Sequence, residues 1–111
     1  MKHVTASKFQ SEEIPISVNM RGRCSTELGE FISLANVNCT VLSGEDPNPS
    51  AMISGSATVI DSSIVQQLVI GGLPGVIYEL WVAIRTNLGN VYIDTVPLAV
   101  MFDASEPPAI P

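Results

Sequence analysis

Acid–base, nucleophilic and metal chemistry each need particular side chains at particular spacings, and this chain offers few of them. His3 is the one histidine, so neither a Ser-His-Asp nor a Cys-His relay has its base in the body of the chain. His3 with Cys24 and Cys39 does not make a zinc ligand set. Acidic residues pair as Glu12-Glu13 and as Asp103 with Glu106. Hydrolytic carboxylates must flank a cleft at a set separation, and these lie in the terminal stretches. Glu45-Asp46-Pro47-Asn48-Pro49 spaces Asp and Asn two apart, as calcium loops do. It lacks the further oxygen ligands and the closing Glu of a complete loop, so it reads as an acidic turn. Gly71-Gly72 and Gly75 open no helix and serve a corner between strands, not a phosphate cradle. The expectation is a non-enzymatic chain with no cofactor, no metal and no small-molecule substrate.

Binding residues are the better prospect. Trp81 alternates with Tyr78, Leu80 and Val82, so Glu79, Trp81, Ala83 and Arg85 share the opposite strand face. Trp and Arg dominate interface hot spots, which makes Trp81 and Arg85 candidate anchors; the competing reading is a Trp that covers the sheet, with Arg85 stacked on it. Arg21 and Arg23 flank Gly22 and can offer bidentate donors to carboxylates on a neighbour, or form an ordinary solvated turn. Pro107 and Pro108 lie in the stretch Asp103–Pro111, which is excluded from a sheet interior and expected to be an extended, polyproline-like tail. Such a tail docks with little loss of conformational freedom. The two ends are read either as arms laid on neighbouring subunits or as free polar chain.

Composition narrows the partners. The 111 residues fit one domain, and 46% hydrophobic content is too apolar for a disordered chain. Charged residues make up only 14%, against about a quarter in an ordinary soluble domain, so some surface is expected to be covered by partners. Five Lys and Arg stand against eleven Asp and Glu, a net charge of -6. No basic stripe exists to neutralise phosphates, so direct nucleic-acid binding is not expected. Acidic surface can instead meet a basic patch on a protein. No run approaches the length of a membrane helix, so no membrane insertion is expected, and Met1–Lys8 lacks the apolar centre of a signal peptide. Synthesis in a reducing cytoplasm is the expectation, with Cys24 and Cys39 as free thiols on buried strands; a disulfide between them is the lesser reading.

The positioning elements read as strands. Ile14, Ile16, Val18 and Met20 alternate on one face, with Pro15 placing the strand at an edge. Ser25–Gly29 suits one helical turn closed by Gly29. Phe31–Ser33 is extended, and Val37–Leu42 is a strand with Val37, Cys39 and Val41 inward. Residues 43–50 form a loop. Ala51–Gly55 is weakly extended, and strands 57–60 and 63–70 flank a break at Asp61-Ser62. A hairpin joins 77–86 to 91–102 across Asn87-Leu88-Gly89-Asn90. About seven short strands with turns between them predict an all-β sandwich: residues 14–102 as the domain, 1–13 as an N-terminal arm and 103–111 as a Pro-rich tail.

Leu73-Pro74-Gly75, Tyr78, the alternating run to Thr86 and Gly89 together resemble the late strands of immunoglobulin-like and fibronectin type III domains. The resemblance implies an antiparallel sandwich fixed by Gly72, Gly75, Tyr78 and Gly89. It also implies that Tyr78 is a tyrosine corner, ring in the core and hydroxyl on nearby backbone. A broader resemblance runs from about Glu13 to Phe102. Leu28-Gly29-Glu30-Phe31-Ile32, Val37–Val41, Val65-Gln66-Gln67-Leu68-Val69-Ile70-Gly71-Gly72, then Gly75, Tyr78, Leu80, Ala83, Thr86 and Gly89 resemble the small immunoglobulin-like virion proteins of tailed phages. Those are the fibre-tail adaptors and neck proteins. The chain departs from that pattern at Met20-Arg21-Gly22-Arg23, where aromatic residues are usual, and at Cys39, where Trp or Thr is expected; both bear on the docking surface more than on the fold. The resemblance implies a virion structural subunit assembled in a bacterial host cytoplasm. Such a subunit links portal or tail to fibres through contacts with copies of itself or with portal, adaptor, nozzle or fibre proteins. A capsid decoration protein and an adhesion module binding a surface ligand are the alternatives.

Overall fold

Alternation of apolar and polar residues builds the strands, and the computed structural model describes them over residues 6–102. The expected tail 103–111, with Pro107 and Pro108, lies outside the described residues, as do residues 1–5 with His3. Seven strands follow in order: β1 Ala6–Phe9, β2 Ile14–Asn19, β3 Ile32–Ser43, β4 Ile53–Ile60, β5 Ile64–Val69, β6 Ile77–Thr86 and β7 Val91–Met101. They form a four-stranded sheet ordered β1-β7-β6-β3 and a three-stranded sheet ordered β2-β5-β4. The β2-β5-β4 and β7-β6-β3 arrangement is that of a constant-type immunoglobulin sandwich. The fold is therefore an immunoglobulin-like all-β sandwich, as the alternation predicts.

The expected pieces 31–33 and 37–42 are one strand, β3, and residues 53–60 are one strand, β4; three further details differ from the sequence expectation. The stretch 1–13 is not all arm, because Ala6–Phe9 pairs with Leu98–Met101. That pairing is parallel in an otherwise antiparallel sandwich. Lys8 points inward there and is 1% exposed. Its Nζ donates to the carbonyls of Phe9, Gln10 and Gly71 at 2.8, 3.0 and 2.6 Å, which makes an inward lysine tolerable. Second, Pro49–Met52 is a 3-10 turn where Ala51 and Met52 were expected to extend; the turn drops Met52 into the core at 1% exposure. Third, Cys24 is buried in the turn after β2, not on a strand.

The core lies between the sheets in two adjoining groups. Tyr78, Leu80, Leu98, Val69, Met52 and Val100 fill one end, and Met20, Val65, Val82, Ile84, Val37 and Ile32 the other. Both cysteines are free thiols. Burial, and secondarily Asp46, raises the Cys39 thiol to about 11. Turns fix the connections. Thr26–Leu28 makes one 3-10 turn. Gly72, Gly75 and Gly89 all take positive φ, at 93, 87 and 86°. At Gly72 space is short as well, since a Cβ there would stand 2.9 Å from Val100 Cγ2 and 3.0 Å from Met52 Cε.

Candidate docking face

Tyr78 anchors the corner that sets β6. Its ring is fully buried, its hydroxyl accepts from the Leu73 N–H at 2.7 Å, and it donates to Asp46 Oδ2 at 2.7 Å. That is the tyrosine corner the resemblance implies. Burial, then the Asp46 hydrogen bond, pushes its hydroxyl up to about 12. Asp46 also accepts the Asn48 N–H at 2.9 Å, so its carboxylate is occupied by the fold. Among the described residues no three Cys, Asp or Glu side chains converge as a metal site needs.

At the opposite end Glu30 ties the Thr26–Leu28 turn to the β6–β7 hairpin. It is 5% exposed. Its carboxylate accepts from Thr86 Oγ1 at 2.6 Å, Ser25 N–H at 2.7 Å and Asn90 Nδ2 at 2.8 Å, with the Tyr92 hydroxyl at 3.4 Å. The Thr86 hydroxyl first, then the Ser25 amide and Asn90, hold the carboxyl below the ordinary Glu range. A carboxylate so saturated by donors is a strut, not a general base. Gln67 is a second such strut. Its Nε2 donates to the carbonyls of Ser54 and Gly55 at 2.9 and 3.2 Å, which satisfies the backbone of a bulge in β4 between Ser54 and Thr58.

With these struts in place, β6 presents Tyr78, Leu80, Val82, Ile84 and Thr86 to the core and Ile77, Glu79, Trp81, Ala83 and Arg85 outward. The sequence-predicted face is therefore real. Trp81 is 40% exposed, and its Nε1 donates to Thr40 Oγ1 at 2.8 Å. Register brings other strands beside it: Asn38 and Thr95 flank Trp81, Ile93 faces Ala83, and Leu34 and Val91 flank Arg85. Leu34, Val91 and Ile93 are all more than half exposed. Between them lies a shallow groove of about 310 Å³ lined by Leu34, Asn36, Ala83, Arg85 and Val91. Phe9, Ile77 and Met101 continue the apolar surface at the far end of the same face. Glu79 and Arg85 are its charged residues among those described. The outer face of the other sheet mixes Ser17, Asn19, Thr58 and Gln66 with the exposed Leu68 and Ile60, and it carries no aromatic residue.

The arginines divide. Arg85 stays exposed on the face, while the cation over a ring is Arg23 on Tyr92, 5.7 Å from its centroid, not Arg85 on Trp81. Arg23 Nη2 also donates to the Ile93 carbonyl at 3.3 Å, and Arg21 Nη2 to Ser63 Oγ at 3.4 Å. Arg21 and Arg23 thus each give one donor to their own fold, and both side chains stay exposed. The sequence did not point to Leu34, Val91 or Ile93 beside Trp81, nor to Lys8 and Glu30 as buried struts. Alternation along residues 91–102 was the available signal for Val91 and Ile93. Leu34 lies past a register shift between Ile32 and Leu34 that no pattern announces. No family model matches this chain, and neither a curated protein nor a solved structure does.

Proposed function

We propose that the chain is a non-enzymatic assembly subunit that docks a protein partner through the outer face of its four-stranded sheet, with Trp81 as the anchor. One observation carries this reading: Trp81 stands 40% exposed among Leu34, Ile77, Val91 and Ile93, on a face with little charge. Exposed Trp and branched aliphatic side chains gathered on one sheet face, with two charged residues among them, are the kind of surface that partners cover. The indole N–H already has Thr40 as acceptor, so covering the ring strands no donor. The resemblance to small virion proteins of tailed phages supports a specific setting, an adaptor in the virion that joins the portal or tail region to fibres.

The test is immunogold labelling of tailed-phage particles made in the host that carries this gene. Label at the neck or fibre attachment is the expected result. Label spread over the capsid would assign decoration instead, and particles free of the chain would overturn the virion reading. Trp81→Ala is expected to weaken incorporation by about 2 kcal/mol or more, the size of an interface hot spot. Wild-type incorporation by the Trp81→Ala chain would remove the face from the account.

A further inference from the structure

The edges of the two sheets are not treated alike. β2 carries Pro15, and β4 is interrupted by the bulge at Gly55, whose carbonyl Gln67 takes. β7 is uncovered before Leu98, where β1 pairing begins. On that stretch Arg23 donates to the Ile93 carbonyl, the Asp94 carboxylate accepts the Thr95 N–H at 3.0 Å, and Pro97 has no N–H to offer. These are the devices by which proteins blunt an edge. β3 stands outermost in its sheet and is blunted less: Ile32–Ser43 contains no proline and no charged residue over 12 positions, and its register shifts are confined to its two ends. Its Cys39 N–H takes the neighbouring Asn38 Oδ1 as acceptor, at 2.8 Å, as Thr95 does with Asp94, so an incoming strand must displace that one side chain. Cys39 therefore turns its backbone groups to the open side, and by alternation so do Ala35, Val37 and Val41.

We infer that this edge pairs with β3 of a second copy, antiparallel, about a two-fold axis at Asn38. The occupant follows from the sequence of the edge itself. Centred on Asn38, the register places Val37 against Cys39 of the second copy and Ala35 against Val41. Those are the residues whose backbone groups face outward, so each exchange of hydrogen bonds has its donor and acceptor once Asn38 Oδ1 yields the Cys39 N–H. On the outer face Leu34, 64% exposed, meets Leu42, 53% exposed, and Asn36 meets Thr40. Between Leu34 and Val41 the strand has no register shift, so its pleat is regular over the Ala35–Val41 part of the pairing, and Leu42 sits at the shift before Ser43. A net charge of -6 opposes self-association in general, but here it is kept off the seam. Glu79 lies opposite Thr40, then Asn36 and Ala83 of the second copy. Arg85 lies opposite Leu34, then Leu42 of the second copy. No two like charges share a row. Two four-stranded sheets become one continuous sheet, which joins two docking faces side by side. The inference rests on the assembly reading above and supplies its partner for the edge.

Light scattering of the purified full chain is expected to give twice its 11.8 kDa mass. Asn38 is exposed, so a charge there spares the core. Asn38→Asp and Asn38→Lys each set like charges face to face across the axis, and each is expected to be monomeric and folded, with an unfolding midpoint that no longer depends on protein concentration. Mixed together they should recover the dimer, because opposite charges then meet. Asn38→Cys should form an interchain disulfide on mild oxidation. A non-hydrogen-bonded cross-strand pair holds its Cα atoms about 4.5 Å apart, within disulfide reach. Asn36→Cys should crosslink with Thr40→Cys and not with itself. A monomer at the highest soluble concentration, or a dimer that survives both charge variants, overturns the pairing. Trp81→Ala should leave the dimer intact. Loss of the dimer in that variant would move the contact to the docking face. A monomer whose incorporation still needs Trp81 would sink the edge pairing alone. A dimer absent from particles would sink the docking reading alone.

Discussion

Two buried polar residues, Tyr78 and Glu30, hold this fold, and each makes a measurable prediction. Tyr78→Phe keeps the ring in place and deletes a hydroxyl that serves both the Leu73 N–H and Asp46. The orphaned amide should cost roughly 1–3 kcal/mol in urea unfolding. The same hydroxyl is raised from 10.0 to about 12. A group raised by folding stabilises the protein below its unfolded value, and that contribution is lost as pH rises through its folded value. Alkaline unfolding should therefore steepen between those two values in the wild type and flatten there in Tyr78→Phe. Glu30 works in the opposite sense. Its carboxyl is lowered by Thr86, Ser25 and Asn90, so its contribution is complete above the ordinary Glu range and disappears as pH falls through the lower folded value. Glu30→Gln should remove this part of the acid dependence, read as a shallower fall of the unfolding midpoint from neutral to acid pH. An unchanged acid limb would show that the network does not stabilise the charged form.

At the scale of elements, the Gly71–Gly75 corner joins the two sheets, and its glycines are not equivalent. An added Cβ at Gly72 meets Val100 and Met52 in the core, whereas at Gly75 the nearest atom is Phe102 Cε2 at 3.9 Å. Gly72→Ala should lose roughly 1–3 kcal/mol to overpacking on top of about 1–2 kcal/mol for the left-handed backbone. Gly75→Ala should show the backbone part alone. Equal losses in the two variants would mean that the corner relaxes away from the core. This corner was legible in the sequence because Gly-Gly-Leu-Pro-Gly before a Tyr and an alternating run leaves little else to form. β6 was legible for the same reason, and with it the outward direction of Trp81. β1 was not. Ala6-Ser7-Lys8-Phe9 reads as polar arm, and only the carbonyls of Phe9, Gln10 and Gly71 converging on Nζ turn Lys8 into a core residue. The neighbours of Trp81 were equally hidden. They depend on a register set by shifts at both ends of β3, and one residue of slip turns every side chain over.

At the scale of the molecule, charge and apolar surface are kept apart, and that separation decides how docking should respond to salt. The chain carries -6 overall, and an attraction between that charge and a basic partner would weaken as salt shortens the Debye length. The face around Trp81 has Leu34, Ile77, Val91 and Ile93 as its exposed bulk, and burial of such surface is insensitive to sodium chloride and strengthened by sulfate. Particles carrying the chain should therefore retain it through a high-salt wash, and retain it better in ammonium sulfate. Particles made with Trp81→Ala should be depleted at every salt concentration, because the lost contact is apolar. Particles made with Arg85→Ala should match the wild type in high salt and fall below it only in low salt, where a single charge at the rim still acts at a distance. The quantity of chain on washed particles, measured by quantitative immunoblot, reads all three. Release of the wild-type chain by sodium chloride alone would place the binding on the acidic surface, and the apolar face would then need a different occupant.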